Sequence, residues 1–261
     1  MWKMRRMGSA KNANTSDIAR YAMWGSVLLL AVGSALYWAF WSVSYHWNWS
    51  GAWEYRQQFV LGWGMTLVAS LAAMILSIAF GIAFMLGRRA HALPVKLFCG
   101  GVVEVVRGTP LLVQLLVGYY VVANLFGLDR LLVGIAVLAL FEGAYLSEIF
   151  RGAVESIGAS QREAARAVGF NTWQTYRYVI FPQALRRALP GTTGQLVSLV
   201  KDSSLLSVIG IEEVVQKVRS MNSAAYVSLE GYLPLAIAYL AVTLPLSWWA
   251  RSLERRFAYE T

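Results

Sequence analysis

Six stretches of this chain are apolar enough to cross a lipid bilayer, and this limits its fold more than any other feature. They fall at about residues 21–43, 59–86, 108–127, 131–150, 190–209 and 232–250. A helical span needs about 20 mostly apolar residues. The expected fold is therefore an all-α membrane protein with six transmembrane helices. Hydrophobic residues make up 57% of the chain and charged residues only 14%, too few charges for a typical soluble domain. The third stretch is extended at its start by residues 95–107, and Val95 to Phe126 is too long for one straight span. Gly108 and Pro110 are the expected break, since proline lacks a backbone donor and clashes with the preceding turn. The fifth is weak, because Gln195, Lys201 and Asp202 interrupt it.

The net charge of +9 invites a nucleic-acid reading, but the placement of the charge argues against one. With the N-terminus in the cytoplasm, the inner side holds Lys3, Arg5, Arg6, Lys11 and Arg20, then Arg88, Arg89 and Lys96. It also holds Arg151, Arg162, Arg166, Arg177, Arg186 and Arg187 in the long loop, and Arg251, Arg255 and Arg256 in the tail. The outer side has only Arg56, Arg130, Lys217 and Arg219. This is a strong positive-inside bias. It places both termini in the cytoplasm and turns the basic loops toward anionic lipid headgroups and a cytoplasmic partner.

Tyr21 to Trp41 is longer than a usual signal-peptide core, and no convincing small-residue cleavage site follows, so it is expected to stay as a first helix. Its aromatic end, from Trp38 to Trp53, reads as an interfacial belt, with residues 44–58 as a short external loop. The expected division is a cytoplasmic tail at 1–20, an extra helix and loop at 21–58, a transmembrane core at 59–250 and a tail at 251–261. One cysteine, Cys99, excludes an internal disulfide. Two distant histidines, His46 and His91, make a zinc site unlikely to assemble.

Residues 160–182, SQREAARAVGFNTWQTYRYVIFP, form a basic loop with two short amphipathic helices. Ser160 with Glu163 reads as a capping box. Ala164, Ala165 and Ala167 are strong helix formers. Gly169 suits the left-handed residue that ends a helix. Asn171 with Gln174 caps the next helix, whose apolar face is Trp173, Tyr176, Val179 and Ile180, and Pro182 is expected to end it. Such a loop reads as a docking surface for a soluble partner, or as an ordinary interfacial hairpin.

Here the chain resembles a known family. Glu163-Ala164-Ala165, Gly169 and Pro182 match the spacing of the EAA loop of bacterial ABC importer permeases. Arg107-Gly108-Thr109-Pro110-Leu111-Leu112-Val113-Gln114 looks like the corresponding block of the polar amino-acid uptake permeases. Ala144-Tyr145, Glu148 and Arg151-Gly152 match the next block. Pro182-Gln183-Ala184-Leu185-Arg186 and Lys201-Asp202-Ser203-Ser204-Leu205 match the last two. The resemblance covers about residues 59–250. Val179, Phe181 and Ser160-Gln161 depart mildly from the family's usual Ile, Leu and Gly-Gln.

The resemblance implies a type I importer fold, a five-helix core to which the N-terminal helix is an addition. It implies a permease subunit in the bacterial inner membrane that moves a polar amino acid. The implied partners are a second permease subunit, identical or sister, a dimer of ABC ATPase subunits, and a periplasmic amino-acid-binding protein. ATP and Mg would belong to the ATPases, and this chain would hold no cofactor or metal. ATPase coupling would run through Ser160, Glu163, Ala164, Ala165, Gly169 and Pro182. A helix over Ser160–Val168 would be about 13 Å long, a short rigid lever.

The chain has no phosphate-loop motif and no lysine after a glycine, so it is not itself the ATPase. Ser203 and Ser204 beside Lys201 raise the alternative of an intramembrane hydrolase, but packing and polar contacts explain them better. An ion-driven carrier or channel is the other alternative, and it would have no need of such a cytoplasmic lever. Charges inside a membrane usually face a partner or a cavity. Glu148 is expected to pair with Arg151, and Glu104 with Arg107. Arg107, Pro110, Lys201, Asp202 and Ser203 read as structural or gating residues. Glu142 sits mid-span with no basic residue within a turn, so it either binds a substrate ammonium group or is a buried protonated acid. Thr109, Gln114, Glu142, Tyr145 and Glu148 are the candidate substrate path.

Overall fold

The computed structural model describes residues 15–42 and 45–258, which fall into two compact units divided after Trp47. The first unit contributes α1 (Thr15–Ser42), an apolar helix whose large side chains, such as Leu28 and Leu30, are exposed. The second unit carries all the remaining helices. They are α2 (Trp49–Glu54), α3 (Arg56–Gly87), α4 (Leu93–Gly108), α5 (Leu111–Val117), α6 (Asn124–Phe126) and α7 (Arg130–Glu155), then α8 (Ala159–Ala167), α9 (Thr172–Gln174), α10 (Phe181–Asp202), α11 (Val214–Ala225) and α12 (Leu229–Ala258). Four helices are long and apolar enough to cross a membrane, or six spans if each of two bent pairs counts as one. No strand occurs among the described residues.

The centre of the second unit is the α3–α7 pair. α3 buries Ala69, Ser70, Ala73, Ser77 and Gly81, a stripe of small residues at helical spacing. α7 answers with Gly134, Leu138, Ala139, Gly143 and Leu146. Small side chains let two helix backbones approach closely, where packing and not water exclusion supplies the attraction. A methyl group built on Gly143 would stand 2.6 Å from Cβ of Phe80 and 3.1 Å from the Ser77 carbonyl. The buried hydroxyls do not need a partner helix: Ser70 donates to Thr66 O and Ser77 to Ala73 O, each one turn back. Leu115, Leu199, Leu206 and Ile211 close the core around the pair.

The predicted break at Gly108–Pro110 is present. α4 ends at Gly108, Thr109 and Pro110 are extended, and the chain axis turns by 110° before Leu111–Phe126. Gly118–Ala123 winds as a π-helix between α5 and α6. The helix that carries the weak fifth span is much longer than predicted. Its winding begins at Thr172, passes through a π-helical turn at Thr175–Ile180, continues as α10 with Pro190 inside it, and tightens to a 3₁₀-helix at Ser203–Ile209.

Pro182 therefore does not end a helix. It lies in the first turn of α10, where its missing donor falls at the change from π to α winding and the hydrogen-bond register shifts in any case. Residues 44–58 are also not simply a loop. α2 is capped by Asn48, whose side chain accepts from Gly51 N, and the Asn48 backbone donates to Glu230 Oε1 at 2.6 Å. The α3–α7 contact gives a direct test. Gly143→Ala should lose about 1–3 kcal/mol to overpacking. Gly100→Ala, where a methyl meets nothing within 4 Å, should melt as the wild type does in detergent. Equal melting temperatures for the two variants would refute the close approach.

Candidate functional site

The loop between α7 and α10 is built from the bottom by a small apolar core. Ile157, Ile180 and Ala184 are buried together, with Val154 against them. Arg187 Nη1 donates to Ser156 O at 2.7 Å and to its Oγ at 2.9 Å, fixing the turn that leaves α7. α8 then starts at Ala159, one residue before the predicted start. Its cap is Gly158, and no side chain caps the end, so the predicted capping box at Ser160 and Glu163 does not form. The reason lies upstream: Ile157 is pinned in the core, which brings Gly158 to the cap position and leaves Ser160 inside the first turn.

The far end of α8 follows the prediction. Gly169 has φ +84°. Its N–H donates to Arg166 O at 2.9 Å, and the N–H of Phe170 to Ala165 O at 3.0 Å. This is a Schellman closure, which satisfies two free carbonyls at once. Asn171 and Gln174 make the predicted reciprocal box, each side chain accepting from the other's backbone at 2.9 Å. Of the residues predicted to couple, Ala165 faces inward at 4% exposure, while Ser160, Glu163, Ala164, Gly169 and Pro182 are exposed. Val168 and Trp173 are exposed alongside them. The loop is thus a rigid projection with a mixed apolar and polar outer face.

Directly above it lies an ion cluster centred on Glu148. Arg88, at the end of α3, pairs with Oε1, and Arg107, in the last turn of α4, stands 3.7 Å from the same oxygen. Arg151 donates to Oε2 through Nε at 3.0 Å and Nη2 at 2.5 Å, and reaches Glu155 at 2.6 Å. The Arg107 guanidinium also lies 5.1 Å from the centre of the Tyr145 ring. The Glu148–Arg151 pair was legible in the sequence. The expected Glu104–Arg107 pair was not correct: Arg107 turns to Glu148, and Glu104 is exposed. Arg88 went unnoticed as a site residue because its partner is 60 positions away.

Two turns further along α7 is Glu142, fully buried. Its Oε2 accepts from Gln195 Nε2 of α10 at 2.6 Å, and Oε1 has no hydrogen-bond partner among the described residues. The Asp202 carboxyl lies close enough to interact with it. Sequence spacing had shown no basic neighbour. It had not shown this amide and second carboxyl, which come from the opposite helix. Thr109 and Gln114 sit apart from this group, at the α4–α5 break. Gln114 Nε2 donates toward Val106 O at 2.7 Å and Thr109 Oγ1 at 2.8 Å, and Thr109 Oγ1 donates to Val105 O. They hold the bend closed. Tyr145, under Arg107 and beside the Phe141 ring, lies one turn from Glu142 and connects the two regions.

Lys201 is exposed and Ser203 fully buried, with Ser203 Oγ donating to Val200 O at 2.8 Å. The serine hydroxyl is spent on its own helix, which gives the hydrolase alternative no nucleophile–base geometry. Buried Glu213 was missed in the sequence. It caps α11 by accepting from Gln216 N, and it binds the Thr66 hydroxyl of α3 at 3.3 Å. A glutamate is a rare cap, so no local signal marked it.

A five-helix core with a broken span, a bent weak span and a projecting loop helix is the architecture of an ABC importer permease. The profile described as binding-protein-dependent transport system inner membrane component matches residues 79–259, and the chain belongs to that family. The glutamine transport system permease protein GlnP of Escherichia coli (strain K12) is 34% identical over 212 residues, 80% of this chain and 97% of that one. The probable glutamine ABC transporter permease protein GlnM of Bacillus subtilis (strain 168) is 32% identical, covering 75% of this chain and 91% of its own. A crystal structure of an amino acid ABC transporter with histidines superposes with a TM-score of 0.75 at 32% identity, over 81% of this chain and all of the other. The MetNI methionine ABC transporter, at 18% identity and a TM-score of 0.60, shares the fold. The chain is accordingly a permease subunit of an ABC importer, a transport subunit of a membrane system.

The Glu148 cluster makes a prediction of its own. Glu148→Gln leaves three guanidiniums around a neutral amide and should cost about 2 kcal/mol, the scale of charged hydrogen bonds. Arg107→Gln removes a longer, half-exposed contact and should cost less than about 1 kcal/mol. Melting curves in detergent separate the two. Equal shifts would mean that the cluster does not tie α3, α4 and α7 together.

Proposed function

We propose that this permease carries a polar amino acid across the bacterial inner membrane and is driven by ABC ATPase subunits gripping α8 from the cytoplasm. It pairs with a second permease subunit, identical or sister, and a periplasmic binding protein delivers the substrate. The termini lie in the cytoplasm. ATP and Mg are held in the partner ATPases, where the hydrolysis occurs. The observation that carries this reading is the exposed, rigidly ended α8. The names of the relatives support an amino acid as the substrate, since the two quoted above are named as glutamine permeases.

The coupling route follows from packing. α8 packs against the π-helical turn Thr175–Ile180, whose Ile180 is buried with Ile157, Val154 and Ala184 between the end of α7 and the start of α10. Those two helices carry Glu142 and Gln195, 2.6 Å apart in the interior. A push on α8 therefore bears on the two helices whose side chains meet at that polar group. Glu142, with Tyr145 one turn away, is the part of the candidate path suited to an amino acid's ammonium group. Thr109 and Gln114 hold the α4–α5 bend, apart from that group, and Glu148, engaged by three arginines, acts as a gate tie.

Uptake of labelled amino acids into proteoliposomes holding the assembled transporter tests this reading. Glu142→Gln should lower uptake strongly with assembly intact, and wild-type uptake would return Glu142 to a purely structural role. At Gly169 the constraint is φ and not space, since a methyl there meets nothing within 4 Å. A β-branched residue in that conformation costs about 1–2 kcal/mol, while Asn visits it readily. Gly169→Val should cut uptake per ATP hydrolysed by about 5- to 30-fold, and Gly169→Asn should retain most of it. Indifference to both substitutions, or ATPase binding unaffected by changing Glu163, would sink the lever.

A further inference from the structure

A groove of about 630 Å³ opens between the ends of α3, α7 and α10 that lie nearest α8. Its floor is apolar and buried, with Ile180 and Ala184 at its base and Ile82, Leu86 and Phe150 along its walls. Its rim has a different chemistry. Arg89, just past the end of α3, and Arg177, in the π-helical turn, both line it and both are exposed, as is Trp173. Neighbouring arginines are committed: Arg88 and Arg151 to Glu148, and Arg187 to Ser156. Neither Arg89 nor Arg177 makes an ion pair among the described residues. Two uncommitted guanidiniums over an apolar slot call for a ligand with a phosphate at one end and hydrocarbon at the other.

We propose that this groove binds an anionic phospholipid, with its phosphate between Arg89 and Arg177 and an acyl chain along Ile82, Leu86 and Phe150. Guanidinium is well matched to phosphate oxygens. An indole such as Trp173 belongs at headgroup depth. Basic pockets between spans on the cytoplasmic side recognise anionic headgroups by this combination. The cavity volume lies in the range of small-molecule sites. The placement in the inner leaflet rests on the cytoplasmic position of α8 argued above. Because Trp173 and Arg177 belong to the segment that follows α8, the lipid bridges the bundle and the coupling loop. Transport then responds to the charge of the surrounding membrane.

Native mass spectrometry of the full-length chain in detergent tests the site, with phosphatidylglycerol and phosphatidylcholine of identical acyl chains and with glycerophosphate. Phosphatidylglycerol should be retained roughly thirtyfold better than phosphatidylcholine, the effect of two arginines near the headgroup. Arg89→Gln with Arg177→Gln should abolish that preference. Ala184→Trp should fill the slot and release both lipids, and Arg219→Gln, exposed elsewhere, should change nothing. Equal retention of the two lipids, or a preference that survives the double variant, would overturn the proposal. So would displacement of the lipid by glycerophosphate, which would mark a simple anion site, or by an ATPase subunit, which would make the groove a protein interface. Labelling of Trp173→Cys, in a Cys99→Ser background, from the periplasmic side would overturn the topology while leaving the lipid result to stand or fall separately.

Discussion

Inside a bilayer there is no water to satisfy a backbone group, so every N–H and C=O must be paired by the protein itself. The α3–α7 pair meets this demand with uninterrupted winding, and its small-residue stripe then allows close packing. Elsewhere the chain bends, and each bend has to be repaired. At Thr109–Pro110 the repair is made by side chains: Gln114 reaches back to Val106 O and to Thr109, and Thr109 reaches back to Val105 O. Between Ile209 and Val214, where the axis turns by 50°, Glu213 accepts from Gln216 N and from the Thr66 hydroxyl of α3. The polar residues at these bends serve the backbone first.

That ordering explains how the charges divide. Glu148 and its three arginines lie toward the ends of α3, α4 and α7, partly open to solvent, next to the apolar cluster of Phe84, Val103, Val106 and Ala144 that joins the same three helices. Glu142 lies where α7 and α10 are packed, and it meets an amide and a carboxyl but no cation. A carboxyl whose lone pairs are saturated by arginine has little left for a ligand. Glu142 is held by one amide and shares its site with the Asp202 carboxyl, which interacts with it directly. The two glutamates are only six positions apart on one helix, yet one is met by three guanidiniums and the other by an amide and a carboxyl.

Local signals were legible in the sequence and distant ones were not. Gly169, the Asn171–Gln174 box and the Gly108–Pro110 break depend on a few adjacent residues, and all three are where the sequence put them. The Ser160 cap failed because burial of Ile157, a tertiary event, shifted the start of α8. The length of α10 was underestimated because Pro182 read as a stop, whereas it lies in the first turn of α10, where its missing donor is tolerated. Arg88 to Glu148 and Gln195 to Glu142 span 60 and 53 positions, beyond the reach of any periodicity. Glu104–Arg107 was misassigned because ideal helical spacing made a nearer partner look sufficient.

The same physics bears on the proposed role of the loop as a transmitter. A helix of nine residues closed by a Schellman turn has few ways to deform, and Ala165 is buried on its inner face. In the proposed function, force on its exposed face would bear on the π-helical turn it packs against and, through Ile180, on the start of α10. The helices α7 and α10 differ in stiffness. α7 is continuous from Arg130 to Glu155, whereas the chain of α10 is π-wound before it and 3₁₀-wound after it. Irregular winding at both ends of a segment is where a helix rotates or slides at least cost. If ATPase subunits move α8 as proposed, the irregularly wound α10 is where the movement is taken up against the continuous α7, and the Gln195–Glu142 bond is the contact it would change.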